Sequence, residues 1–216
     1  IKQALVQISQ QKERLNVSNL LNELKSKKGV LLYDIESDPD DKHNFLHGFV
    51  KLAYSEKNGW DLTKANYQPL LNLNKGNEEI IWKRIKRKLE SYSDWPILHY
   101  GETERLAISQ LGKKHGCKMS ELDFILKRFI DMHIRVKESW ILPLNNYGLK
   151  TVSNYIGYNW ETEEADGSKA LLWWRQWKNS KRSTKAYSKN LNKIFKYNRD
   201  DCLATWAIAS WLLDNN

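Results

Sequence analysis

Asp34 and Glu36 stand two residues apart in Val30-Leu31-Leu32-Tyr33-Asp34-Ile35-Glu36, a short apolar run between Gly29 and a Ser-Asp-Pro-Asp turn. On a strand that spacing turns both carboxylates to one face with Cα atoms about 6.5–7 Å apart, a gap that one divalent cation can bridge. The alternative is a pair of acids salt-bridged to some of the 35 Lys and Arg residues. Tyr197 and Asp201 are four apart in Tyr-Asn-Arg-Asp-Asp, which on a helix brings them to one face and turns Asp200 about 100° away from Asp201. Acids at a helix start also favour the positive end of the helix dipole, which accounts for the acids but not for the Tyr. Between these pieces, His99-Tyr100-Gly101-Glu102-Thr103-Glu104 runs from a strand end into a helix start, and the dipole is again the competing explanation for its acids.

Hard cations such as Mg2+ and Mn2+ take carboxylate oxygens rather than Cys or His, so these acids suit them. The five His show no zinc-ligand spacing. Cys117 and Cys202 are too few and too far apart for a disulfide framework or a clustered thiolate site, and a reducing cytoplasm is the expected compartment. Asp131 reads either as another acid near the sheet edge or as a strand-end cap.

The elements that must carry these residues follow from periodicity. Residues 3–26 place Leu5, Ile8, Leu15, Leu20, Leu21 and Leu24 at helical intervals and predict one or two amphipathic helices. Residues 30–36 predict a central, doubly buried strand, in which two acids are expensive without a strong partner. Residues 45–54 predict a second strand, and the stretch around Gly59 and Trp60 a weaker third, followed by an Asn-rich loop to Gly76. Residues 78–91 predict a basic amphipathic helix with Ile80, Ile81, Ile85 and Leu89 inward. Further strands are expected at 96–100 and 129–132, and helices at 102–115, 120–127, 148–156, 169–178 and 198–213. Strands first, then alternation, then helices describes an α/β domain with a mixed sheet and helices packed on its faces.

A net charge of +9 points to a polyanionic partner such as nucleic acid. Basic clusters at residues 25–28, 83–88, 113–118 and 178–185 read by default as solvated faces, with Arg84 and Arg87 the candidate phosphate contacts in the second. Trp173, Trp174 and Trp177 with Arg175 and Lys178 form a basic and aromatic mixture that could be a single-strand platform, although Trp at helical spacing is more often core. With 41% hydrophobic and 28% charged residues the chain is neither disordered nor fibrous, and no apolar run approaches the ~20 residues that span a bilayer.

In order and separation, the three acidic pieces resemble the DEDD exonucleases of the ribonuclease H-like superfamily. Asp34 and Glu36 match that family's D-x-E motif, Tyr100 and Glu104 the second motif, and Tyr197 and Asp201 the Y-x-x-x-D of its tyrosine branch. A histidine branch would need His where Lys196 stands. More closely, Asp34-Ile35-Glu36-Ser37-Asp38-Pro39, residues 96–104, Gly148-Leu149-Lys150-Thr151-Val152 and residues 197–205 resemble the ribonuclease H-like domain at the C-terminus of RecB-family nucleases. Asp is usual in the wider pattern where Glu104 stands, and the closer family carries Glu there.

The resemblance implies a ribonuclease H-like mixed central sheet with helices on both faces over residues 29–216. Residues 1–28 would be an N-terminal helical segment leading from an absent RecB-like nuclease domain of the same parent chain, an expectation that a first residue of Ile1 rather than Met also suggests. It implies a 3′-to-5′ exonuclease acting on DNA or RNA, single-stranded by expectation, with two Mg2+ or Mn2+ ions that neutralise the phosphodiester and acidify a water. Asp34 would bridge both ions, Glu36 and Asp201 would hold one, Glu104 would support the other, and Tyr197 would orient the water. Tyr100, Lys150, Arg84, Arg87, Trp174 and Arg175 are the expected nucleic-acid contacts. The rival readings are an endonuclease on the same fold and a non-catalytic nucleic-acid-binding module assisting a nuclease or helicase.

Overall fold

The computed structural model describes residues 2–15, 21–162, 166–181 and 185–215, without the side chains of residues 185–187. The chain opens with α1 (Lys2–Ser9) and a two-residue strand β1 (Glu13–Arg14), so the helices expected over residues 3–26 reduce to one short helix and a 3-10 turn at Asn22–Leu24. Residues 16–20, with Leu20 among them, lie outside the described residues. Tertiary pairing overrides the helical pattern here. β1 pairs antiparallel with Trp140–Ile141, Lys12 Nζ lies 4.8 Å and 5.0 Å above the Trp140 and Trp211 rings, and Leu5 and Ile8 are left exposed.

The run that begins at Gly29 becomes β2 (Gly29–Asp38), the axis of the sheet. It turns back through β3 (His43–Ser55), which pairs antiparallel with it. The outer edge of β3 receives both β4 (Gly59–Trp60) and β5 (Asn66–Leu71), the latter in a stretch expected to be loop. The α2 helix (Glu78–Ser91) follows, then β6 (Ile97–His99) parallel to β2. Helices α3 (Thr103–Lys114) and α4 (Met119–Leu126) lead to β7 (Phe129–Asp131), parallel to β6. The strand order β5-β3-β2-β6-β7 makes a mixed sheet, with β4 beside β5. Beyond it come α5 (Met132–Ser139), β8 (Trp140–Ile141), α6 (Leu149–Tyr155), α7 (Gly167–Asn179) and the 30-residue α8 (Lys185–Asp214).

Alternation along β2 divides the core in two, because successive strand side chains point to opposite faces. Val30 and Leu32 pack with Leu98, Val152, Cys202, Trp206 and Ala209 under α5, α6 and α8. Leu31 and Tyr33 pack with Ile81, Ile85, Leu89, Ile108 and Leu122 under α2, α3 and α4. On α2, Trp82 rather than Ile80 completes the inward face: Trp82 is 3% exposed and Ile80 58%. By the same alternation Asp34 and Glu36 lie on the α8 side of the sheet, and the register of β2 against β3 shifts just after Glu36. No helix among the described residues is long and apolar enough to cross a membrane.

Candidate active site

Two segments far apart in sequence meet beyond the apolar part of β2. Asp34 and Glu36 come from the strand, and Asp201 comes from α8, whose inward residues Asn198, Asp201, Cys202, Thr205 and Ala209 recur at helical spacing. One carboxylate oxygen from each of Asp34, Glu36 and Asp201 lies within 4.8 Å of the other two. Glu36 and Asp201 are almost fully buried, while Asp34 keeps partial access to solvent. Burial and then the neighbouring acids Asp201 and Glu36 push the Asp34 carboxyl well above its ordinary range. Glu36 is raised in the same way, by burial and then Asp201. Asp201 is pushed up to about 8 by burial, against the opposing pull of the Tyr197 hydroxyl. The salt-bridge explanation of these acids finds no support, since the Lys and Arg ion pairs among the described residues use other carboxylates. Lys150 does act on the site from α6, where its charge favours ionised Asp201 while its ammonium lies 5.2 Å above the Trp160 ring.

Asn198, absent from the sequence-derived set, lies among these acids. It is fully buried, and its Nδ2 donates to Asp34 Oδ2 at 2.6 Å and, more weakly, to Glu36 Oε1 at 3.5 Å. Its Oδ1 accepts from the Tyr67 hydroxyl at 2.9 Å. Gly48, opposite Asp34 on β3, makes room for it: a Cβ there would lie 1.6 Å from Asn198 Oδ1. The sequence signal was a polar amide one position past Tyr197, on the face of α8 that otherwise carries Cys202 and Ala209.

Glu104 stands apart from the trio, in the first turn of α3. Its charge nevertheless bears on Asp34, Glu36 and Asp201. The side chain is buried, and its Oε2 has no hydrogen-bond partner; His99 Nδ1, 3.7 Å away, donates instead to the Gly101 carbonyl at 2.6 Å. The turn that aims Glu104 is held from outside. Gly101 adopts a positive φ of 91°, and its N–H donates to Asp131 Oδ1, which also accepts from His133 N as the cap of α5. Asp131 is therefore the cap of α5 and the anchor of this turn at once.

Tyr197 lies one turn before Asp201 on α8, and burial followed by the charge of Asp201 drives its phenol far above the ordinary range, so it stays protonated. Asp200 points elsewhere, as its position on the helix required, but it is buried, accepting from Tyr158 Oη at 2.6 Å and from Thr162 N and Oγ1 at 3.0 and 2.9 Å. It fastens the loop after α6 onto α8.

The expected nucleic-acid contacts divide. Arg84 and Arg87 are exposed on α2. Lys150 bears on the site through its charge. Tyr100 is half-buried, with its hydroxyl committed to the Tyr147 carbonyl at 2.5 Å, so it ties a loop down rather than offering that group to a ligand. Trp174 is not a stacking platform: it is fully buried, with its ring stacked on Phe45 at 4.4 Å and on Trp177 at 5.1 Å. Arg175 is half-exposed, but its guanidinium is taken up by Asp38, through contacts of 2.7 and 3.2 Å, and by Asp40. That cluster locks α7 onto the turn between β2 and β3. The basic run at residues 178–185 falls partly outside the described residues.

The donor set fits hard divalent cations. It consists of carboxylate oxygens held close enough to repel, beside a fourth carboxylate with an unpartnered buried oxygen. A family model described as the RNase H superfamily matches residues 31–213, a span that contains every residue of this constellation. No curated protein and no solved structure matches the chain.

Proposed function

The chain belongs to the RNase H superfamily, and on that footing we propose that it is a metal-dependent nuclease, a two-metal-ion 3′-to-5′ exonuclease acting on single-stranded DNA or RNA. The observation that carries the reading is the trio of carboxylates within 4.8 Å of one another, with Tyr197 one helical turn before Asp201. A non-catalytic binding module has no use for three like charges gathered at such electrostatic cost.

Asp34, Glu36 and Asp201 would hold one ion, and Asp34 with Glu104 a second. Such ions, Mg2+ or Mn2+, supply charge neutralisation at the phosphodiester and a more acidic water. Tyr197 turns its hydroxyl toward Asp201 and keeps its proton, and its oxygen would act through its lone pairs as an acceptor that orients water. It is too weak an acid to serve as a general base at neutral pH. Lys150, whose charge favours ionised Asp201, would add positive charge toward a phosphate at the site. The exposed Arg84 and Arg87 would contribute contacts to more distant phosphates, and a RecB-like nuclease domain in the same parent chain completes the reading. Polarity and that partner domain rest on the family resemblance.

Digestion of a 5′-labelled single strand with Mn2+ tests the proposal. A ladder of progressively shortened products is expected, and Tyr197→Phe should keep Mn2+ binding while lowering single-turnover cleavage roughly 10²- to 10³-fold. Internal cuts would replace the exonuclease assignment with an endonuclease. Binding without cleavage would overturn the catalytic reading.

A further inference from the structure

A carboxamide has a donor end and an acceptor end, and beside a pair of carboxylates only one of its two orientations is tolerable. At 2.6 Å from Asp34 Oδ2, an amide oxygen would repel where the N–H2 group attracts. The Asp34 carboxylate, which can only accept, sets the orientation, and the hydroxyl of Tyr67, donating to Oδ1 from the far side, holds it. The room for this arrangement comes from the backbone of Gly48, because any Cβ at that position would occupy the place of the amide oxygen. We infer that Asn198, held by Tyr67 in the space beside Gly48, is a positioning residue that fixes Asp34 and Glu36 for a divalent ion, and that Tyr67 acts on the ion site through Asn198.

The geometry gives the amide a defined task. By engaging one oxygen of Asp34 and reaching toward one of Glu36, it holds two strand carboxylates that would otherwise swing apart under their mutual repulsion. The same hydrogen bonds partly offset the destabilisation of the charged acids, since Asn198 opposes the upward shift at both. Among the described residues, Asn198 is the side-chain partner of Asp34 Oδ2 and Glu36 Oε1, and the second oxygen of each carboxylate would serve a ligand. Groups in this position orient metal ligands, and their loss typically costs 10- to 100-fold in affinity.

The inference rests on the metal-dependent reading above, and calorimetric titration with Mn2+ separates the two. Tyr67→Phe preserves shape and removes only the hydroxyl. It should weaken Mn2+ binding about tenfold, alongside a modest fall in metal-free melting temperature from the unpaired Asn198 oxygen. Asn198→Ala should weaken binding at least as much, and Tyr67→Phe added to Asn198→Ala should produce no further loss, because the two act in series. A purely structural amide would instead show lowered metal-free melting with unmoved Mn2+ affinity, and that result overturns the inference. So does a double variant whose loss is the product of the single losses. Should Asn198→Ala fail to fold, Tyr67→Phe alone still decides, since an unchanged affinity refutes the assignment. A wild-type protein that binds no Mn2+ overturns the metal-dependent reading and this inference with it, whereas a wild type that binds beside an unmoved Tyr67→Phe overturns this inference alone.

Discussion

Replacing Asp201 with Asn should stabilise the metal-free protein and destabilise the metal-loaded one relative to wild type. The carboxylate oxygens of Asp34, Glu36 and Asp201 lie within 4.8 Å. At that separation, and with an effective dielectric constant near 20, each fully charged pair repels by about 3.5 kcal/mol. Asp201→Asn removes two of the three pairs and keeps an oxygen for the Tyr197 hydroxyl. Protonation already relieves part of the strain, because the Asp201 carboxyl is pushed up to about 8. The net gain is therefore smaller than the sum of two pairs, on the order of 1–2 kcal/mol, or a rise of a few degrees in melting temperature for a chain of this size. With Mn2+ at a hundred times its dissociation constant the wild type gains about 2.7 kcal/mol, and a variant lacking one ligand gains much less. The assay is thermal unfolding in chelator and in millimolar Mn2+, and the order of the two melting temperatures should invert between the conditions. An Asp201→Asn protein that melts below wild type in chelator would show that the carboxylate is held by structural partners, and the ion-site argument would fail.

Asp200→Asn should behave in the opposite way: an amide offers one acceptor oxygen to donors that now meet two, so the variant should lose ~1–3 kcal/mol while Mn2+ affinity stays at the wild-type value. An affinity loss as large as that of Asp201→Asn would mean that the third motif is read one residue out of register. Burial holds the imidazole of His47 at about 4, hydrogen-bonded through Nδ1 to Tyr33 at 2.7 Å. A base depressed in the folded state contributes stability above its unfolded value of about 6.5 and loses it as pH falls toward 4, so wild type should lose about 2–3 kcal/mol from this group between pH 6.5 and 4.5. His47→Gln should show a correspondingly shallower acid limb in pH-dependent denaturant melts, and parallel limbs would refute the assignment.

The acids were legible because strand and helix periods are strong rules. Two residues apart on a strand and four apart on a helix leave little choice of face, and Asp34, Glu36 and Asp201 do converge. What failed to show was whatever depends on partners distant in the chain. Asn198 reads as an unremarkable helix residue until Gly48 and Tyr67, well over a hundred residues earlier, are brought against it. Trp174 and Arg175 read as a nucleic-acid platform because composition cannot reveal that Phe45 stacks on one and Asp38 pairs with the other. Leu5 and Ile8 kept a helical period without a face to bury, and β5 was hidden because its pairing to β3, rather than any strong alternation of its own, makes it a strand.

The costs at this centre also explain its setting. Asp34 and Glu36 continue the apolar run of β2, Asp201 lies midway along α8, which begins at Lys185 rather than at the expected residue 198, and Glu104 is in the first turn of α3, so the repulsion among them is opposed by the packing of the elements that carry them. Asp34 and Glu36 follow Val30, Leu31, Leu32 and Tyr33, all at most 1% exposed, and Asp201 precedes the Cys202, Trp206 and Ala209 seam. Glu104 follows the buried β6 and is aimed by a turn fastened through Asp131. A site built this way can keep its acids close in the absence of ions because the elements carrying them are fixed elsewhere. Substitutions in the flanking cores should therefore change melting temperature before they change the spacing of the carboxylates, whereas a change at Asn198 or Gly48 acts on that spacing directly.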